Sequence, residues 1–241
     1  MTGAGASGYI LEAEGLRKAR FDEDRRFEVA LPELYLHPGD RVALVGPSGS
    51  GKSTILALLA MATNPDDGIA FRLVGRDVLN AWRSNDQSLL SLLRAQSATY
   101  LPQRDGLLEF LTIRENILCS AELADALPVQ EIDLLVEMLD LGEVLDAMPA
   151  GLSGGQRQRA AVACALAQRP ALILADEPTA ALDAKNASRV MDSLIALADR
   201  SGAAIVLATH QLHLVEAYQF REIMVTETGE KSNRTSVFEA A

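Results

Sequence analysis

Cysteine is scarce: Cys119 and Cys164 are the only two in 241 residues, far apart and not at metal-ligand spacing. That excludes a disulfide scaffold and a cysteine-built metal site. Two free thiols of a reducing compartment are expected, Cys164 inside the apolar run Ala160–Ala167. Aromatic residues amount to 5%, with one tryptophan, while alanine and leucine dominate the apolar set, a composition suited to helices packed on a sheet. Long apolar runs are also missing. Ile55–Ala62 and Ala160–Ala167, eight residues each, are the longest, and a membrane span needs about 20. Work at a membrane would therefore need spans from another chain. Positive charge is in deficit, 22 Lys and Arg against 33 Asp and Glu, for a net charge of −11. An acidic chain binds polyanions poorly, so no nucleic-acid partner is expected. Met1–Gly8 has neither a basic stretch nor an apolar centre and does not read as a signal peptide.

The chain has the length of one sizeable α/β domain. Residues 9–37 read as short strands around a charged turn, Asp22–Arg26. Asp40–Val45 is a short buried strand, Gly46–Gly51 a glycine-rich loop and Thr54–Met61 an apolar helix. Ile69–Val74 is a strand candidate followed by a polar loop; Leu89–Arg94 belongs to a helix and Ala98–Leu101 to a strand. Residues 105–165 have few strand signals. The capping box Thr112-Ile113-Arg114-Glu115 starts one helix, and Val129–Leu139 follows Pro128 with helical periodicity, so an all-helical insert is expected. Strand Leu172–Ala175, helix Ser188–Ala198 stopped near Gly202, and strand Ala203–Ala208 complete an alternation that implies a mostly parallel sheet covered on both faces. Glu222–Glu230 reads as a strand and turn. The final ten residues, polar and small, are expected to be loosely ordered.

Gly46-Pro47-Ser48-Gly49-Ser50-Gly51-Lys52-Ser53-Thr54 fits G-x-x-x-x-G-K-[ST] without a gap. Its glycines let backbone N–H groups turn inward around phosphates, and the following helix points its positive end at the same place. Lys52 is expected at the β- and γ-phosphates, the Ser53 hydroxyl on Mg²⁺ and the Thr54 hydroxyl near the α-phosphate. Leu172–Glu177 is an apolar strand ending in two acids. Asp176 falls at its carboxyl edge as a water-mediated Mg²⁺ partner, and Glu177 is placed to polarise an attacking water. Leu152-Ser153-Gly154-Gly155-Gln156 precedes the helical run Ala160–Ala167 and so forms a helix N-terminus, by itself no more than a serine cap with two glycines.

Taken in order, these strings resemble the nucleotide-binding subunit of an ATP-binding cassette (ABC) transporter. Gly46–Thr54 matches the family's Walker A loop, Gln103 in Tyr100-Leu101-Pro102-Gln103 its Q-loop glutamine, and Leu152–Gln156 its signature. Leu172–Glu177 matches Walker B with the catalytic glutamate, Ala181-Leu182-Asp183 the D-loop, and His210 the switch histidine. The wording of Leu174–Thr179 and Leu182–Asn186 is most similar to the lipoprotein-release and macrolide-export branch.

The resemblance implies a P-loop NTPase (RecA-like) α/β fold. It consists of a mostly parallel sheet core, an N-terminal antiparallel β subdomain and an α-helical insert carrying the signature. Residues 1–104 and 166–241 would be the nucleotide-binding core and 105–165 the helical subdomain of a single domain. It implies ATP and Mg²⁺ as ligands and an ATP-induced head-to-tail homodimer. In that dimer Ser153, Gly154, Gly155 and Gln156 meet the partner's nucleotide, and Asp183 communicates across the seam. Gln103 would sense Mg²⁺ and water, and His210 would contact the γ-phosphate and orient Glu177 or the water. The helical insert would dock an integral membrane permease, placing the protein on the cytoplasmic face of a membrane. The family's adenine-stacking aromatic falls near Arg20 or Phe21, and the charged segment after them leaves the register open. The alternative reading is a regulator that pulls on a membrane partner in cell-envelope remodelling. A soluble cassette of translation or DNA repair is disfavoured by the single cassette and the charge of −11. A dead binding module is disfavoured by Lys52, Asp176, Glu177 and His210 all being present. His37 and His213 read as surface or satisfied residues, Arg157 and Arg159 as exposed salt-bridge formers, and Trp82 as a residue that could face a partner.

Overall fold

Residues 11–36 form two long strands rather than several short ones. β1 (Leu11–Asp22) and β2 (Arg25–Leu36) pair antiparallel from Leu11↔Leu36 to Asp22↔Arg25. The computed structural model describes residues 8–22, 25–103, 106–124, 129–180, 182–230 and 233–240. Part of the charged turn, and Ala181 of the D-loop string, therefore lie outside the described residues. β3 (Arg41–Val45) leads through the glycine loop into α1 (Lys52–Leu59). β4 (Ala70–Leu73) and β5 (Arg76–Asp77) follow, then α2 (Val78–Arg83), α3 (Gln87–Gln96) and β6 (Ala98–Leu101). The expected polar loop after β4 thus contains a helix, α2. The Asp77 carboxylate starts it by accepting the Asn80 N–H at 2.9 Å.

The stretch after Gly106 is helical, with α4 (Ile113–Leu123), α5 (Val129–Met138), two short 3-10 turns and α6 (Gly154–Ala167). α4 begins on the expected capping box, both halves of which form. β7 (Leu172–Asp176), α7 (Ala184–Ser201), β8 (Ala204–Thr209), α8 (Leu212–Ala217), β9 (Arg221–Glu230) and β10 (Asn233–Ala240) complete the chain.

The strands among the described residues join one ten-stranded sheet in the order β5-β4-β1-β2-β10-β9-β3-β8-β7-β6. From β9 to β6 every neighbouring pair is parallel, while β5-β4-β1-β2 is antiparallel. That is the expected division into a parallel core and an antiparallel N-terminal part. Side chains alternate across β3: Val42 and Leu44 join the core under α1, α2 and α3, and Ala43 and Val45 join the core under α4 to α8.

Residues 233–240 overturn the expectation of loose order. β10 joins the two halves of the sheet, parallel to β2 and antiparallel to β9. Its polar residues find backbone partners on both sides, and Ser236 and Phe238, two apart, share a buried face with Phe238 0% exposed. Phe238→Leu is expected to destabilise the fold by about 1–2 kcal/mol, read as a lower urea midpoint at unchanged slope. A disordered tail would give no change.

Trp82 packs half-buried against the first core instead of facing outward. Arg159 is buried, 8% exposed, and reaches the Leu139 and Asp140 carbonyls at 2.6 and 2.9 Å and the Asp140 carboxylate at 3.2 Å. Arg157 bonds the Pro149 carbonyl and pairs with Glu109. Cys119 and Cys164 are free, Cys164 buried with its thiol pushed up to about 12 by burial. His37 and His213 are exposed. No helix among the described residues is long and apolar enough to cross a membrane.

Candidate functional site

The carboxyl ends of three adjacent parallel strands converge. Val45 pairs with Thr209 and Asp176 with Ala208, so the segments leaving β3, β7 and β8 emerge side by side. The glycine loop leaves β3 there. Gly49 and Gly51 take φ 78° and 92°, in the left-handed region that glycine occupies without strain. A Cβ on Gly46 would collide with Val225, and one on Gly51 with Val29, so strands β9 and β2 approach the loop backbone closely. Gly51 starts α1 with no side-chain cap, which leaves N–H groups available to an anion. Lys52, 5% exposed, folds its ammonium back onto the Gly46 and Pro47 carbonyls at 2.8 and 2.9 Å. Burial holds its pKa below the ordinary lysine value, opposed by the carboxylates of Glu177 and Asp176.

Behind the loop stand the acids. Asp176, buried, accepts from the Tyr100 hydroxyl at 3.3 Å. Burial, and then that carboxylate, push the Tyr100 hydroxyl up to about 12. Glu177 adopts φ 48°, an unfavourable conformation for a non-glycine residue, with its N–H held by the Ala208 carbonyl at 2.9 Å. Such backbone costs about 1–3 kcal/mol and is held only by its surroundings. Its carboxylate lies 3.0 Å from His210 Nδ1 and accepts from the Gln103 amide at 3.3 Å. Gln103, Glu177 and His210, far apart in sequence, therefore form one cluster.

A cavity of about 400 Å³ joins Gln103, Asp176 and Glu177 to the loop residues Ser48, Gly49, Gly51, Lys52, Ser53 and Thr54, and Arg20 and Phe27 line it as well. Ser53, Gln103 and Asp176 offer it a hydroxyl, an amide and a carboxylate. These are hard donors of the kind Mg²⁺ accepts alongside phosphate oxygens. No cluster of three or more His, Cys, Asp or Glu able to cage a metal occurs among the described residues.

Of the two candidates for the base, Arg20 lines the cavity and Phe21 does not. Phe21 follows Arg20 on the strand, points to the other face and is 75% exposed. The aromatic residue at the cavity is Phe27, the direct cross-strand partner of Arg20, which the sequence reading missed. Nor does anything in the sequence mark Tyr100 as the partner of Asp176.

The signature segment lies elsewhere. Ser153 caps α6, its hydroxyl accepting the Gln156 N–H at 3.3 Å while Gln156 accepts the Ser153 N–H at 2.9 Å. Nothing lies within 4 Å of a Cβ built on Gly154, which leaves that helix end open. The Leu182 side chain lies beside Gly155. Asp183 caps α7 through the Asn186 N–H at 2.9 Å and Asn186 Nδ2 at 2.7 Å, contacts that hold its carboxyl below the usual range. None of Ser153, Gly154, Gly155, Gln156 or Asp183 lines the cavity.

A family model described as "ABC transporter" matches residues 31–180. The chain is 37% identical over 211 residues to the lipoprotein-releasing system ATP-binding protein LolD of Pseudomonas fluorescens, covering 85% of this chain and 90% of that one. It is 37% identical over 211 residues to the macrolide export ATP-binding/permease protein MacB 1 of Aeromonas hydrophila, covering 86% of this chain and 32% of that one. The chain thus spans about a third of that relative's length. A dimeric structure of the ABC transporter cassette MJ0796 superposes with a TM-score of 0.76 at 28% identity, covering 89% of this chain and 93% of that one. A dimeric post-hydrolysis state of the same cassette, bound to ADP and Pi, gives 0.76 at 27% identity, covering 92% and 95%. Motif order, strand-end geometry and a family match over more than half its length agree on one descent, and the chain belongs to the ABC transporter family.

Proposed function

We propose that this chain is the ATP-binding and ATP-hydrolysing subunit of a transporter, driving a separate membrane permease through ATP-induced head-to-tail dimerisation. One observation carries the reading. The cavity gathers the phosphate loop, Asp176, Glu177 and Gln103 but no residue of the signature, so each chain has half of a site and an open helix end to offer a twin. Lys52 and the α1 N-terminus bind the β- and γ-phosphates. Ser53, Asp176 and Gln103 would hold Mg²⁺, which supplies charge neutralisation at the phosphates. Glu177 accepts the proton of the attacking water, and His210 fixes the Glu177 carboxylate. Ser153, Gly154, Gly155 and Gln156 meet the γ-phosphate bound by the partner subunit, and Asp183 lies at the seam. Loss of phosphate removes the anion shared by the two faces, and the halves part.

Residues 105–165 form the helical subdomain that docks the permease, and residues 1–104 and 166–241 the nucleotide-binding core. The permease holds the protein at the cytoplasmic face of the membrane. The names of the relatives, lipoprotein-releasing and macrolide export, mark the branch and leave the cargo to the permease. The test is sedimentation of the Glu177→Gln variant. With Mg-ATP it is expected to run as a dimer, and with no nucleotide or with Mg-ADP as a monomer. A monomer under all three conditions, also with the permease supplied, would overturn the proposal.

A further inference from the structure

Arg20 on β1, Phe27 on β2 and Arg234 on β10 are successive direct partners, Arg20↔Phe27 and Arg234↔Phe27, so the three side chains form one row on one face of the sheet. We propose that Arg234 is a positioning residue for the nucleotide, tying the phosphate loop to Phe27 so that the loop and the base-side wall of the cavity are held as one unit. The proposal rests on the reading of this cavity as an ATP site.

The Arg234 guanidinium makes three contacts. It lies 4.8 Å from the Phe27 ring centroid, in cation–π range. Its Nη2 donates to the Gly49 carbonyl at 3.0 Å, and its Nη1 to Glu227 at 3.2 Å. Glu227, on β9, thus anchors the guanidinium while its other arm reaches the loop.

The Gly49 contact matters because of the peptide it belongs to. The Ser50 N–H on the far side of that peptide bonds the Pro47 carbonyl at 3.3 Å. With Arg234 on its carbonyl, the Gly49–Ser50 peptide is held at both ends. Gly49 sits at φ 78° with nothing within 4 Å of where a Cβ would be, so no side-chain packing holds this glycine. A phosphate cradle works only if its backbone dipoles keep one orientation before the anion arrives, since ordering them on binding subtracts from affinity. Phe27 is tied in independently: its ring meets the position of a Gly51 Cβ at 3.1 Å. The loop is thus fastened on both sides of Ser50, by Arg234 and by Phe27, and Arg234 also stacks on Phe27. A planar fork can stack and donate in two directions at once; a lysine ammonium cannot.

Three variants test this: Arg234→Met, which keeps an apolar stem over Phe27 and removes the donors, Arg234→Lys, which keeps the charge, and Phe27→Leu. Arg234→Met is expected to raise the Kd for Mg-ATP and the KM for hydrolysis about tenfold, while kcat stays within about twofold. Arg234→Lys is expected to recover only part of the affinity. In nucleotide-free Arg234→Lys, amide exchange at Ser50 is expected to speed up about tenfold with core protection unchanged, and Phe27→Leu is expected to raise Kd in the same direction. Wild-type affinity in Arg234→Met, or unchanged Ser50 exchange in Arg234→Lys, would overturn the proposal, as would a fall in kcat at constant KM. A wild-type chain that binds no Mg-ATP would instead sink the ATP reading itself, so the two failures are distinguishable.

Discussion

Replacing Glu177 by glutamine is expected to lower kcat for ATP hydrolysis by about two to four powers of ten, the usual worth of a positioned general base, while the affinity for Mg-ATP holds or tightens. The substitution keeps the side chain's shape, its φ 48° backbone and the Ala208 anchor, because none of these depends on the carboxylate. What it removes is an oxygen able to take a proton, at a point where His210 and Gln103 both converge. Affinity holds because Lys52 and the α1 N–H groups are untouched. It can tighten because a negative charge leaves the neighbourhood of a triphosphate. A single-turnover assay with radiolabelled ATP separates the two effects. A kcat within tenfold of wild type would remove Glu177 from the role of base.

The phosphate loop and the Walker B strand could be placed from the sequence because their signals are local. A loop of fixed spacing follows a run of four apolar residues, Val42–Val45, and strand Leu172–Asp176 runs straight into its two acids. The same holds for α4, whose capping box is complete within four residues. Phe27 was illegible for a reason of register. The hairpin pairs residues whose numbers sum to a constant set by the turn, and the charged segment Asp22–Arg26 centres on Asp24. The observed pairs Asp22↔Arg25 and Arg20↔Phe27 each sum to 47. A turn centred on Asp24 would instead pair Phe21 with Phe27, and such a slip moves every side chain to the wrong partner or face. β10 was illegible for a related reason. Asn233-Arg234-Thr235-Ser236 has no apolar alternation to report, and its order comes from hydrogen bonds to β2 and β9, brought beside it by the rest of the fold. Arg159 shows the limit of composition. A charged side chain on a helix is usually solvated, but this one is buried against two carbonyls at the end of α5's loop, a placement fixed by tertiary packing alone.

Lys52→Ala is expected to weaken Mg-ATP binding by about a hundredfold or more, from the loss of charge-assisted hydrogen bonds to the phosphates. The nucleotide-free fold should hardly notice. The ammonium is held by two carbonyls and sits at a desolvation cost, so removing it relieves a penalty while it frees two acceptors and takes one positive charge from beside Asp176 and Glu177. These opposing effects leave the thermal midpoint close to wild type, whereas the midpoint increase given by Mg-ATP in the wild type should vanish. The wild type carries a pH signature of the same residue. Its folded-state pKa lies below the ordinary 10.5, so between the two values the unfolded chain binds more protons than the folded one. Stability of the empty protein therefore gains from Lys52 as pH rises through that window. Nucleotide affinity runs the other way, because phosphates need the ammonium. On the alkaline side, Mg-ATP binding must draw a proton onto Lys52, and calorimetry in buffers of different ionisation heat should record that uptake. Lys52→Ala should abolish the uptake. Uptake that persists in the variant, or affinity that remains within threefold of wild type, would place the phosphates away from this lysine.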